Sequence, residues 1–108
     1  MKDRLRQDLL QLLSTIAFSG SKEQYWRVVL EGVKLLMGYR DLPVARFELI
    51  RIYLKCKAEI LDSLTNSDLR EDVLDELEAI LIGWYPMNDF WTSTFDQFID
   101  HPNFKAYH

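Results

Sequence analysis

The side chains able to take part in chemistry are few and poorly placed for catalysis. Both histidines, His101 and His108, lie in the last eight residues, so no nucleophile has a histidine base close in sequence. Cys56 lies between Lys55 and Lys57, and neighbouring lysines lower the pKa of an exposed thiol and make it reactive. In a helix such a cysteine is more often a small buried side chain, which is the expectation here. The sequence therefore predicts a protein that is not an enzyme.

No pattern typical of a metal or cofactor site is present. The chain lacks the Cys/His spacings of a zinc site, the glycine turn of a calcium loop and a Gly-rich phosphate loop. His101 stands beside Asp100, but a single pair does not make a metal site. Carboxylates such as Glu71 and Asp75 serve acid–base chemistry only inside a cleft. We therefore expect no cofactor and no metal, and we interpret the carboxylates as candidates for binding.

The most informative stretch runs from Ser67 to Phe98 and begins with an acidic helix. Its apolar residues recur at helical spacing, so they occupy one side of the helix and the carboxylates occupy the other. Like charges four residues apart, as at Glu71 and Asp75, each cost about 0.2–0.5 kcal/mol. Two interpretations stay open: a solvated face that needs no partner, and a face that binds a basic partner. The carboxylates of this face are Asp68, Glu71, Asp72, Asp75, Glu76 and Glu78.

An aromatic turn follows the acidic helix. Residues 84–91 hold four aromatic side chains around Pro86. Tyr85, next to the proline, is the best candidate for an exposed anchor, and Asp89 adds a carboxylate to the candidate binding surface. Four other aromatic residues of the region are expected in the core: Trp84, Trp91, Phe95 and Phe98.

Length and composition indicate a single globular domain spanning residues 1–108. Hydrophobic residues make up 48% of the chain, which excludes a disordered acidic tail. The longest apolar runs are only a few residues, too short for a membrane span, and the N-terminal residues do not resemble a signal peptide. One cysteine suits a reducing compartment, so a cytoplasmic location is expected.

The net charge of −4 is unevenly distributed along the chain. Residues 1–57 hold eleven Lys/Arg and six Asp/Glu, giving +5, whereas residues 58–108 hold two and eleven, giving −9. The third predicted helix carries basic residues, but three acidic residues reduce its net positive charge: Glu48, Glu59 and Asp62. The protein as a whole has a negative net charge, which nucleic-acid phosphates repel, so direct nucleic-acid binding is not expected. A homodimer is possible in which the basic half of one copy meets the acidic half of another.

Five helices and no strand are predicted, giving an all-α bundle. Gly32 lies inside the second helix, where it costs about 1 kcal/mol relative to alanine, so a close helix crossing is expected there. The third helix is predicted to be the longest and the central one, and its apolar positions are Val44, Phe47, Ile50, Leu54, Ile60, Leu61 and Leu64. Asn88 or Asp89 is expected to cap the fifth helix. The predicted segments are 3–18, a helix opened by Ser21 and stopped by Gly38, 43–64, 67–83 and a short helix around residues 90–99.

The acidic helix and aromatic turn resemble a family of bacterial immunity proteins that protect against nuclease toxins. In the nuclease-colicin type, an acidic helix and a neighbouring Tyr-Tyr-Pro turn bind the toxin. The matching positions here are Asp72 and Asp75 on the helix and Trp84-Tyr85-Pro86 in the turn, with Trp84 in place of the first tyrosine. The small size, charge and helicity are also similar to those of contact-dependent growth inhibition immunity proteins. The resemblance implies an all-helical protein that inhibits a toxin by binding it.

The functional hypothesis is an immunity protein that neutralises a basic toxin, with a nuclease as the expected activity of that toxin. Nucleases are basic because they hold phosphate, and carboxylates on an inhibitor speed and steer association. The alternative is a non-catalytic helical adaptor or regulator, for which a homodimer is one form. Replacing Asp75 and Glu76 with lysine is expected from the sequence to leave folding intact, because it removes like-charge pairs.

Overall fold

In the part of the chain that it describes, the computed structural model of the protein contains five helices, as predicted. It describes residues 1–15, 22–63, 68–82 and 90–100, except for the side chains of Lys22 and Asp68. Within these ranges 84% of the residues are helical and no strand is present, which confirms the all-α fold class. The helices are α1 (Lys2–Leu13), α2 (Lys22–Arg40), α3 (Arg46–Ser63), α4 (Asp68–Ile82) and α5 (Phe95–Asp100).

The connection between α2 and α3 differs from the prediction. Gly38 does not end α2, which continues to Arg40. The proline does not open α3 either, since the backbone N–H of Val44 donates to the carbonyl of Leu42 at 2.7 Å across Pro43. Such a three-residue turn is incompatible with helix at this point, so α3 begins only at Arg46.

The fifth helix also begins later than predicted. Thr94 is its cap: the Gln97 N–H donates to Thr94 Oγ1 at 3.2 Å, and the Thr94 N–H donates to Gln97 Oε1 at 3.0 Å. This reciprocal pair is a capping box, whose Thr-x-x-Gln pattern stands in the sequence. The expected caps, Asn88 and Asp89, lie outside the described residues.

The central helix is α2, and the prediction that the helix at 43–64 is central was wrong. Helix α2 packs against each of the other four helices, whereas α3 packs against α1, α2 and α4. The reason is that α2 buries apolar residues on more than one side, while α3 buries a single stripe. The buried residues of α2 are Val28, Val29, Val33, Leu36, Met37 and Tyr39.

The buried stripe of α3 agrees only in part with the prediction. Phe47 is 82% exposed and Leu54 is 41% exposed. The stripe consists of Leu49, Tyr53, Cys56 and Ile60, at spacings of four, three and four residues, and of these only Ile60 was among the predicted apolar positions.

Two polar groups of this buried stripe hydrogen-bond to neighbouring helices. The Tyr53 hydroxyl donates to the carbonyl of Leu74 at 2.6 Å, and the Cys56 thiol donates to the carbonyl of Lys2 at 3.4 Å. Burial raises the pKa of both groups above their usual values. The expectation of a small buried cysteine is thereby confirmed for Cys56, which is fully buried.

The expected close crossing at Gly32 is confirmed. A Cβ at this position would lie 2.7 Å from Leu77 Cδ1 on α4 and 3.3 Å from Leu12 Cδ2 on α1. Real Cβ atoms are not found closer than about 3.0 Å to such neighbours. The missing side chain therefore lets three helices meet at one point.

Arg40 holds residues 90–93 against the end of α2. Its Nη1 donates to the carbonyls of Phe90 and, at 2.7 Å, Ser93, while its guanidinium lies 5.5 Å from the Phe90 ring centroid. Trp91 Nε1 donates to the carbonyl of Leu81 at 3.0 Å, and the Trp91 ring packs partly buried against the core. Phe98 is buried, as predicted, and Trp84 lies outside the described residues.

We predict that Gly32→Ala destabilises the fold. Overpacking a core typically costs about 1–3 kcal/mol, and the better helix propensity of alanine returns about 1 kcal/mol, so a net loss of about 1 kcal/mol is expected. Urea denaturation of Gly32→Ala, Leu77→Val and the double variant measures it. Shortening Leu77 makes room for the new methyl group, so the double variant should lose less stability than the sum of the single variants. Additive losses would show that Leu77 does not confine this position.

Candidate protein-binding face

The orientation of α4 is set by its apolar stripe. Because this stripe is buried, the carboxylates on the other side of the helix face outward. Its five buried side chains pack against α2 and α3. This separation of apolar and acidic residues agrees with the periodicity of the sequence. The buried residues are Val73, Leu74, Leu77, Ile80 and Leu81.

The predicted binding residues fall into three groups. Glu71, Asp72 and Asp75 are exposed on the outer face of α4. Glu76 and Glu78 are half-buried at its edges. The Asp68 side chain, Tyr85 and Asp89 lie outside what the structure describes. The structure therefore brings together the carboxylates of α4, and does not test their junction with the aromatic turn.

Lys57 of α3 binds two of these carboxylates. Its Nζ lies 2.5 Å from Asp75 Oδ1 and 3.1 Å from Glu78 Oε1, and only 13% of the lysine side chain is exposed. Burial lowers the pKa of Lys57, but the hydrogen bonds and negative charges of Asp75 and Glu78 outweigh it and raise the pKa above its usual value. The acidic face is thus partly neutralised on the side toward α3.

This ion pair corrects the expectation for lysine at Asp75 and Glu76. Lysine at position 75 would remove a partner of Lys57 and place a second ammonium group beside it. The removal of like-charge pairs along α4 is worth only a few tenths of a kcal/mol for each pair. The substitution is therefore expected to destabilise the contact between α3 and α4, and it is a poor test of binding.

An aromatic pair lies beside the opposite edge of the acidic face. The rings of Tyr25 and Trp26 on α2 meet edge to face, with centroids 4.7 Å apart. The Tyr25 hydroxyl donates to the carbonyl of Asp72 at 3.3 Å. Together with Leu69 and Asp72, the two rings line a surface hollow of about 280 Å³. Asp72 and the two aromatic residues therefore line the same hollow.

The raised pKa of the Tyr25 phenol reflects its burial and the negative electrostatic potential of this face. Burial raises the pKa of the Tyr25 phenol well above its usual value, and the charges of Glu76, Asp72 and Asp75 raise it further. The same negative potential that opposes a phenolate favours a cation. The arrangement is suited to holding an ammonium or guanidinium group between carboxylates and aromatic rings.

Sequence reasoning missed both Lys57 and the Tyr25–Trp26 pair as parts of this site. Tyr25 and Trp26 fit the apolar pattern of α2, and 47 residues separate Tyr25 from Asp72. Lys57 stands 18 residues before Asp75 and looks like one of several basic residues of α3. No local pattern identifies either contact, since both arise from the packing of α4 on its neighbours.

A larger hollow of about 610 Å³ lies between α1 and α2. Leu12, Val28 and Leu35 give it an apolar floor, and Asp8 accepts a hydrogen bond from the Tyr39 hydroxyl at 2.7 Å beside it. Among the described residues, no three His, Cys, Asp or Glu side chains are grouped so that they could hold a metal ion. Within the same ranges, no helix has the length and apolar character needed to cross a membrane.

No known protein family, curated protein or solved structure matches this chain.

We predict that Lys57→Met lowers the free energy of unfolding by about 1–2 kcal/mol, because it leaves Asp75 and Glu78 without their shared cation. The loss is smaller than for a fully buried pair, since Asp75 is half exposed to water. The raised pKa of Lys57 sets the pH window: the contribution is complete below the usual lysine pKa and disappears as the pH rises through the higher folded value. Urea denaturation from pH 7 to pH 11 measures both effects. Equal stability of the variant and wild type at pH 7 would contradict the role of the ion pair.

Proposed function

We propose that the protein is an immunity protein that binds and blocks a basic toxin, with a nuclease as the expected activity, and that it has no turnover of its own. The observation that carries the proposal is the outer face of α4, where Glu71, Asp72 and Asp75 lie exposed beside the hollow of Tyr25 and Trp26. The resemblance of this helix to the acidic helix of colicin immunity proteins supports it.

The exposed carboxylates increase the association rate and the selectivity of binding. A concentrated negative field attracts a basic protein over about a Debye length, roughly 8 Å at physiological salt. Steered association of this kind is fast and depends strongly on ionic strength. An inhibitor benefits from fast binding because the toxin must be captured before it reaches its substrate.

The Tyr25–Trp26 pair slows dissociation of the complex. Exposed ion pairs contribute little net affinity, whereas aromatic side chains that become fully desolvated dominate many interfaces. The Tyr25 and Trp26 rings are half-buried in the unbound protein, and both line the hollow beside Asp72. A lysine or arginine of the toxin would gain cation–π contacts and an ion pair in the same place.

We predict that Glu71→Lys/Asp72→Lys loses the natural partner while keeping the fold. Both side chains are exposed, and the lysines replace like-charge pairs along α4 with opposite-charge pairs, so stability should change by less than about 1 kcal/mol. Tagged protein is incubated with lysate of the native host, and retained proteins are identified by mass spectrometry. Wild-type protein should retain a basic protein that the variant does not.

The control for net charge is Asp3→Lys/Asp96→Lys, which makes the same change in charge on exposed positions of α1 and α5. This control should retain the partner as the wild type does. A strongly acidic partner, or equal retention by all three proteins, would remove α4 from the mechanism. A retained protein with no toxic activity, whose own function the chain modulates, would favour the adaptor interpretation.

We predict that Tyr25→Ala shortens the lifetime of the complex more than it slows its formation. Loss of an aromatic anchor typically costs about 2 kcal/mol of binding free energy, mostly in the dissociation rate. Tyr25→Phe is the matched control, because it keeps the ring and removes only the hydroxyl that donates to Asp72. Surface plasmon resonance with the captured partner measures both rates. A dissociation rate unchanged in Tyr25→Ala would exclude the hollow from the interface.

A further inference from the structure

The outward face of α3 carries the most exposed aromatic side chain among the described residues. Phe47 is 82% exposed, and Leu54 on the same face is 41% exposed. Arg51 and Ala58 complete the row, which has spacings of four, three and four residues. A phenylalanine left almost fully in water loses the free energy that its burial would provide. The two exposed apolar side chains, Phe47 and Leu54, lie seven residues apart on this face and offer apolar surface to a partner.

The contacts on both sides of α3 show that this row points away from the domain. On one side Glu59 binds Lys2 of α1 at 3.0 Å. On the other side Lys57 binds Asp75 of α4 at 2.5 Å. The row lies between these two contacts and opposite the buried stripe that contains Cys56. Neither α1 nor α4 covers Phe47.

We propose that this face binds a second copy of the chain, with the two α3 helices packed antiparallel about a two-fold axis. In the antiparallel arrangement Phe47 of one copy lies over Ala58 of the other, and Arg51 lies beside Leu54. A large side chain therefore meets a small one at both ends of the contact, as close helix packing requires. A parallel arrangement would place Phe47 against Phe47 and Arg51 against Arg51, which opposes like charges.

In the same antiparallel arrangement, charged residues beside the row on one copy meet residues of opposite charge on the other copy. Glu48 and Lys55 are seven residues apart and lie on one flank of the row. The two-fold axis brings the same flanks of the two helices together, so Lys55 of each copy lies next to Glu48 of the other. Glu48 now binds Arg51 of its own helix at 2.6 Å, with its side chain 45% exposed, and remains accessible to a second cation. Charge pairs across such a seam select partner and orientation.

This contact is separate from the acidic face of α4, so it does not depend on the proposed function. It also differs from the pairing of basic and acidic halves, because α3 meets α3. A single helix pair covers less than the roughly 1,600 Å² of a standard interface. The dimer is therefore weak and dependent on concentration, and each copy keeps its α4 face open to a different partner.

Sedimentation velocity of the full chain tests the contact. Wild-type protein should shift from monomer to dimer between about 10 μM and 1 mM, the range of a weak association. Phe47→Glu should remain monomeric throughout, with circular dichroism confirming that it is folded. Leu10→Glu on α1 is the control, because Leu10 is a 39% exposed apolar residue on another helix, and it should dimerise as the wild type does. A wild type that is monomeric at 1 mM, or a Phe47→Glu variant that still dimerises, would overturn the proposal.

Charge exchange between two variants tests the antiparallel arrangement. Glu48→Lys brings two positive charges together across the axis, and Lys55→Glu brings two negative charges together. Each variant alone should therefore lose at least about tenfold in association constant. Mixed in equal amounts, the two variants form opposite-charge pairs on both sides and should recover the dimer. Recovery in the mixture supports α3 against α3. Failure to recover, with both variants folded, would overturn this arrangement even if the wild type dimerises.

Discussion

The close approach of three helices at Gly32 is the constraint on which the arrangement of the bundle depends. Because Gly32 has no side chain, Leu77 of α4 and Leu12 of α1 pack directly against the backbone in the middle of α2. This contact joins α2 to α1 and α4, two of the four helices against which α2 packs. It also fixes the rotation of α4, because Leu77 can point inward only if Asp75, two residues away, points outward and Glu76 and Glu78 lie at the edges.

The outward face of α4 is smaller and more structured than its charge suggests. Lys57 neutralises the side toward α3 through Asp75 and Glu78, and this ion pair belongs to the packing of the domain. The side toward α2 places Asp72 beside Tyr25 and Trp26. A basic partner would therefore meet the first half of α4 and the start of α2, where exposed charge and aromatic surface occur together.

Periodicity predicted the five helices and the two faces of α4, because carboxylates and apolar residues separate cleanly around that helix. It failed on α3, where Phe47 and Leu54 fit a helical stripe as well as Leu49 and Tyr53 do, and only packing decides which stripe is buried. The cap at Thr94 was readable from the sequence, since Gln97 completes a known pattern. The contact of Tyr25 with Asp72 was not, because distant segments meet only in the folded chain.

The most direct test of the proposed binding face is hydrogen–deuterium exchange of the protein alone and with the basic protein captured from its host. Binding should slow the exchange of amides in the first half of α4 and around Tyr25, because a bound partner excludes water and suppresses local opening there. Exchange in α1 should not change. Protection confined to α1 or to the exposed face of α3, with α4 exchanging as in the unbound protein, would contradict the account.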